Sequence, residues 1–131
     1  MLIRLARTMT RDDGNSAVEF ALVFPVFILM LLGIFETGRA LWTQALLNYA
    51  VQTAARCGAV DTVTCGSNTA TVSFAVQNSA PLTIPSNDFT VSNPSCGNQV
   101  SVAFPFTTVV PQLLPFDVTL SAQACYPKQT T

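Results

Sequence analysis

The chain has 131 residues, of which 50% are hydrophobic and only 10% charged, whereas soluble domains run near about 25% charged. Six basic and seven acidic groups leave a formal charge of -1, so no broad basic field exists for phosphates and nucleic acid is not an expected partner. Histidine is absent. Its absence removes the commonest general base, the Ser-His and Cys-His nucleophile pairs and most zinc sites.

The apolar excess is local. Phe20 to Phe35 carries no charge, and Ala17 and Val18 extend the run upstream with Glu19 as its single interruption. The nineteen residues 17–35 would reach about 28 Å as a helix, close to the roughly 30 Å hydrocarbon thickness of a bilayer. A membrane-spanning helix is predicted. A removed secretory segment fits less well, because Glu19 and Pro25 interrupt the run and Thr37-Gly38-Arg39-Ala40 is a poor cleavage site. Arg4, Arg7 and Arg11 precede the span, so the amino terminus is expected on the cytoplasmic side. The rest is then exported, and it holds Cys57, Cys65, Cys96 and Cys125. Four cysteines in an oxidising compartment imply two disulfides.

The helix is predicted to run on from the span to about Cys57, since good helix formers fill 40–55 and Leu47, Val51, Ala54 and Gly58 share one face. Composition then changes. Seven of the eight prolines lie beyond Arg56, and uncharged polar residues replace charged ones. In 68–80, Val72, Phe74 and Val76 alternate like a strand, while Thr69, Val72, Val76 and Ala80 fit a helical stripe. A short helix ending before Pro81 is preferred, because a lone sheet needs a cover for its apolar face.

Further on, the apolar residues alternate with period two. Phe89 and Val91 form a short strand, Val100, Val102, Phe104 and Phe106 a second, and Phe116, Val118, Leu120, Ala122 and Ala124 a third. If Phe104 faces Leu120 in an antiparallel pair, every inward residue of these two strands finds an inward partner, and Val91 opposite Val100 does the same for the first hairpin. A three-stranded antiparallel meander follows, with its middle strand near 99–107. This register brings Cys96 beside Cys125 and leaves Cys57 to pair with Cys65. The predicted fold class is α+β: a long amino-terminal helix, a short second helix and one small sheet.

Among residues able to carry chemistry, Glu19 is the informative one, since an ionisable group in a bilayer span costs a few kcal/mol and is retained when it has a partner. Asp61, Asp88 and Asp117 are isolated carboxylates, read as turn and surface residues. No cofactor, metal or small-molecule substrate is expected, nor an enzyme.

The stretch Gly14-Asn15-Ser16-Ala17-Val18-Glu19-Phe20 resembles the prepilin-peptidase site of type IV-type pilins, in which cleavage follows a glycine and glutamate is the fifth mature residue. Together with Pro25, Gly33-Ile34-Phe35-Glu36-Thr37-Gly38-Arg39 and Ala54-Ala55-Arg56, it resembles the TadE-like minor pilins or pseudopilins of the tight-adherence (Tad, Flp) pilus system. The resemblance implies a cytoplasmic leader 1–14 removed by a membrane-embedded prepilin peptidase. It also implies a helical region 15–57 held in the inner membrane of a bacterium, and a disulfide-bonded head 58–131 in the periplasm. It further implies that Glu19 compensates the new amino terminus of a neighbouring subunit and that Pro25 aids packing in the subunit bundle. Asn15 stands where type IVa pilins commonly carry phenylalanine or methionine. The function so implied is that of a structural subunit used in pilus assembly, adhesion and biofilm formation, with other pilin subunits and the assembly machinery as partners. The competing reading is an unrelated single-pass, inner-membrane-anchored periplasmic binding module.

Overall fold

The computed structural model describes residues 11–109 and 118–128. Among these described residues two helices and three strands occur in the order α1 (Arg11–Val60), α2 (Asn68–Asn78), β1 (Phe89–Ser92), β2 (Asn98–Phe106) and β3 (Val118–Tyr126), with a 3-10 turn at Ser86–Asp88 before β1. The α+β class expected from the sequence is the one found. The chain divides into two compact units, Met1–Thr37 and Gly38–Thr131.

In the first unit, α1 presents apolar side chains on all sides to the surroundings: Val18, Phe20, Leu22, Val23, Phe27 and Met30 are all exposed. A helix apolar all round has no core-facing stripe to bury, and its natural surroundings are lipid or other apolar helices. The helix is long and apolar enough to cross a membrane, and none of its most apolar window is buried. Pro25 lies inside it and removes one helical hydrogen bond, which membrane helices tolerate.

In the second unit, α1 supplies Leu47, Val51, Ala54 and Ala55 to a core completed by Ala75 of α2, Ile84, Phe89, Val100, Val102 and Ala122. Helix α1 ends three residues later than expected, at Val60. Asp61 makes the stop: its Oδ1 accepts the backbone N–H groups of Val63 at 2.9 Å and Thr64 at 3.0 Å. A short carboxylate that binds its own following backbone competes with helix and favours a turn. Helix α2 begins at a serine cap, the Ser67 hydroxyl accepting the Ala70 N–H at 3.2 Å. It forms as helix rather than strand because Ala75 and its half-buried neighbours Val72, Phe74 and Val76 pack on the core.

The sheet has the order β1-β2-β3, all antiparallel. Phe89 pairs with Val102 and Val91 with Val100, while Phe104 pairs with Leu120, Val102 with Ala122 and Val100 with Ala124. This is the register in which the apolar faces coincide. Strand β2 begins and ends one residue earlier than expected, because Asn98 pairs with Tyr126 and Phe106 is its last paired residue. Phe116 and Asp117, placed in or beside the third strand by the sequence, lie outside the described residues. Pro105 sits opposite Thr119 of β3, beyond the reach of β1, whose last partner in that direction is Val102. Its missing N–H therefore breaks no ladder bond with β1. Gly97 closes the β1–β2 turn at φ 127, where a side chain would be strained and would press on the Tyr126 carbonyl.

Candidate functional site

The residues singled out by the sequence fall into two groups. Gly14 and Asn15 lie near the start of α1. Glu19 follows on the same helix and is exposed among apolar side chains, with Val18 and Phe20 flanking it. Phe20 and Phe24, one turn apart, stack with ring centroids 5.2 Å apart, an arrangement that a helix favours at this spacing. Among the described residues Glu19 has no hydrogen bond or ion pair. A carboxylate so placed would favour a cation supplied from elsewhere if the helix lies in a bilayer, where an ionisable group is costly without a partner. Glu36, the second acid between 14 and 56, is buried.

The second group lies in Gly38–Thr131. Cys57 and Cys65 are joined across the end of α1, over a sequence separation of 8. Cys96, in the β1–β2 turn, is joined to Cys125 near the end of β3 over a separation of 29. Cys65 is only 4% exposed, whereas Cys96 is open to solvent and Cys125 half-buried. Each bridge ties down a place where the chain reverses. Arg39 stacks its guanidinium 5.0 Å from the Phe106 ring centre, a cation–π contact worth about 0.5–1 kcal/mol at an exposed site.

Two features of this unit are invisible in the sequence. Asn98, 2% exposed, donates from Nδ2 to the Ala55 carbonyl at 3.1 Å and so fastens the start of β2 to α1. Read from sequence it is merely a turn residue. Gly58 is the space that admits it: a Cβ there would collide with the Asn98 amide nitrogen and stand 3.0 Å from Thr71 Oγ1. The only sequence signal is that Gly58 shares a helix face with Leu47, Val51 and Ala54. A groove lined by Tyr49, Gln52, Arg56 and Tyr126 likewise has no pattern that spacing alone displays.

Chemically, the described residues offer little for catalysis. No three His, Cys, Asp or Glu side chains among them come together as a metal site requires. Asp61 is held below the ordinary carboxylate value by the Thr64 backbone N–H, helped by the Thr64 side chain and the Val63 N–H; this is turn chemistry.

The chain's matched part starts at the glycine that precedes the apolar run of α1. Residues 14–56 match the TadE-like protein family. This is the family to which the sequence resemblance pointed, and the match covers about a third of the chain. The TadE-like segment runs from Gly14, through Glu19 and Pro25, to Arg56, and the disulfide-bonded part lies beyond it except for α1. No curated protein and no solved structure matches the chain.

Proposed function

We propose that this TadE-like chain is a minor pilin-like, or pseudopilin, structural subunit of a tight-adherence pilus, used in pilus assembly and through it in adhesion and biofilm formation. It is made as a precursor with a leader of residues 1–14. A prepilin peptidase cuts between Gly14 and Asn15, and the mature subunit of 117 residues begins at Asn15. Residues 17–35 hold it in the bacterial inner membrane with the amino terminus cytoplasmic, and 58–131 is the periplasmic head.

One observation carries this reading: the family match begins on Gly14, and its first half overlies the stretch of α1 whose apolar side chains are exposed on every side. Physical chemistry supports each step. Gly14 lies within α1 just before the apolar run, and glycine lowers helix stability by about 1 kcal/mol relative to alanine. A protease that needs extended backbone meets least resistance there. Cleavage creates an ammonium group four residues before Glu19, and the analogous group of a neighbouring subunit supplies the cation that this exposed carboxylate lacks. Other pilin subunits and the assembly machinery are then the partners, and Pro25 loosens the helix where subunits pack.

Amino-terminal sequencing or intact mass of the chain, expressed with and without a prepilin peptidase, tests the processing step. A new terminus at Asn15 that depends on the peptidase supports it; a chain that keeps Met1 in cells with the peptidase overturns it. Glu19→Ala is expected to leave insertion and cleavage largely intact while reducing surface piliation and attachment. Unchanged piliation would remove Glu19 from assembly.

A further inference from the structure

The strands of the sheet leave β3 with a neighbour on one side only. On its free side lies a groove of about 430 Å³ between α1 and β3, lined by Tyr49, Gln52, Thr53, Arg56 and the run Ala124-Cys125-Tyr126. No residue of β1 or β2 lines the groove, which places it at the β3 edge of the sheet. Farther back along the same strand, the Gln44 side-chain amide donates to the Ser121 carbonyl at 2.8 Å. A side chain thus covers the edge at Ser121. Beside the groove, no comparable bond from α1 reaches Gln123 or Cys125 among the described residues.

The groove has a sign. Arg56 is exposed and has no hydrogen-bond or ion-pair partner among the described residues. No acid lines the groove, and Lys128, two residues past Tyr126, is exposed as well. Tyr49 and Tyr126, 56% and 39% exposed, supply the broad apolar surfaces typical of recognition sites. An open strand edge offers unpaired backbone groups to an extended chain. A guanidinium beside that edge selects a carboxylate, with which it makes bidentate, charge-assisted hydrogen bonds.

We propose that the groove between α1 and β3 binds an extended acidic segment of a partner protein, which adds to the free edge of β3 and places one carboxylate on Arg56. The two tyrosines flank an apolar side chain of the same segment. This rests on the geometry of Gly38–Thr131 alone and holds whether or not the leader is cleaved.

The full chain in detergent micelles is titrated with a short alternating valine–threonine peptide bearing one central glutamate, and with the same peptide bearing glutamine or lysine there. Binding is followed by calorimetry and by amide hydrogen exchange. The glutamate peptide is expected to bind about tenfold more tightly than the glutamine one and to slow exchange at Gln123 and Cys125. Arg56→Gln is expected to erase that difference, and Arg56→Glu to reverse it in favour of the lysine peptide. Because Arg56 is exposed and unpaired, both variants should keep the fold, which the unchanged exchange of core amides in β2 checks. Equal affinity for all three peptides, or binding that ignores Arg56 substitution, overturns the carboxylate site. Binding without protection of the β3 amides overturns strand addition. Failure of every peptide to bind, together with self-association of the chain that Arg56→Gln abolishes, puts a second copy in the groove and overturns the partner assignment. Failure to bind without self-association overturns the site altogether.

Discussion

The two disulfides differ enough in loop length for their contributions to be separated. In the chain-entropy description, a bridge stabilises by shrinking the unfolded ensemble, and the effect grows with the logarithm of the loop it closes. For the separation of 29 between Cys96 and Cys125 this gives about 3.6 kcal/mol, and for the separation of 8 between Cys57 and Cys65 about 2.5 kcal/mol. Simple replacement by alanine would confuse the comparison, because Cys65 is buried and loses packing as well. The cleaner experiment keeps the sulfurs of the bridge under test and breaks it by reduction. A Cys57→Ala/Cys65→Ala chain retains only the long bridge, a Cys96→Ala/Cys125→Ala chain only the short one, and each is unfolded in urea with and without reductant. Reduction should cost the first variant about 1 kcal/mol more than the second. At a slope near about 1 kcal/mol/M for so small a unit, its midpoint should fall about 1 M further. Mass spectrometry after alkylation verifies the redox state of each sample. An equal or larger loss in the variant that keeps Cys57–Cys65 would refute loop entropy as the dominant effect and show that fastening the end of α1 matters more.

Gly58→Ala is expected to destabilise the unit Gly38–Thr131 by about 1–3 kcal/mol, because the new methyl displaces the Asn98 amide from its bond to the Ala55 carbonyl; a urea midpoint equal to that of the parent chain would contradict this. The lowered Asp61 pKa makes a pH prediction. Its stabilisation is fully present above the unfolded carboxylate value near about 3.9 and is lost as pH falls through the depressed folded value. Asp61→Asn keeps the oxygen acceptor for Val63 and Thr64 but does not titrate, so its stability should be less acid-sensitive than that of the parent below about pH 4. Parallel acid profiles for the two chains would show that the turn does not depend on the charge.

How much of this was legible in advance follows from the range of each interaction. The apolar run from Ala17 to Phe35 is a statement about consecutive residues, and most of its large side chains are exposed in the structure. The sheet register was legible because Val100, Val102 and Phe104 can meet Ala124, Ala122 and Leu120 only if the strands pair in one way; a slip by one residue would turn every apolar side chain outward. Residues 68–80 were ambiguous because their apolar spacing suits two periods. The choice fell to helix through the sheet's need for a cover. Helix α1 runs to Val60, three residues past the end that helix propensity suggests, because the stop signal is a side-chain-to-backbone bond of Asp61 with no hydrophobic pattern.

Sequence by itself therefore determined the long apolar helix, the class of fold, the pairing of the strands and the TadE-like character of 14–56. These are properties of local spacing, or of one-dimensional patterns that must be matched. Tertiary structure alone decided that Asn98 reaches the Ala55 carbonyl 43 residues away, that Gly58 must be small, and that Arg56 stands unpaired beside the free edge of β3. Each depends on where α1 crosses the sheet. That crossing is set by the summed packing of Leu47, Val51, Ala54 and Ala55 against Val100, Val102 and Ala122, a many-body fit with no signature in any one stretch of chain.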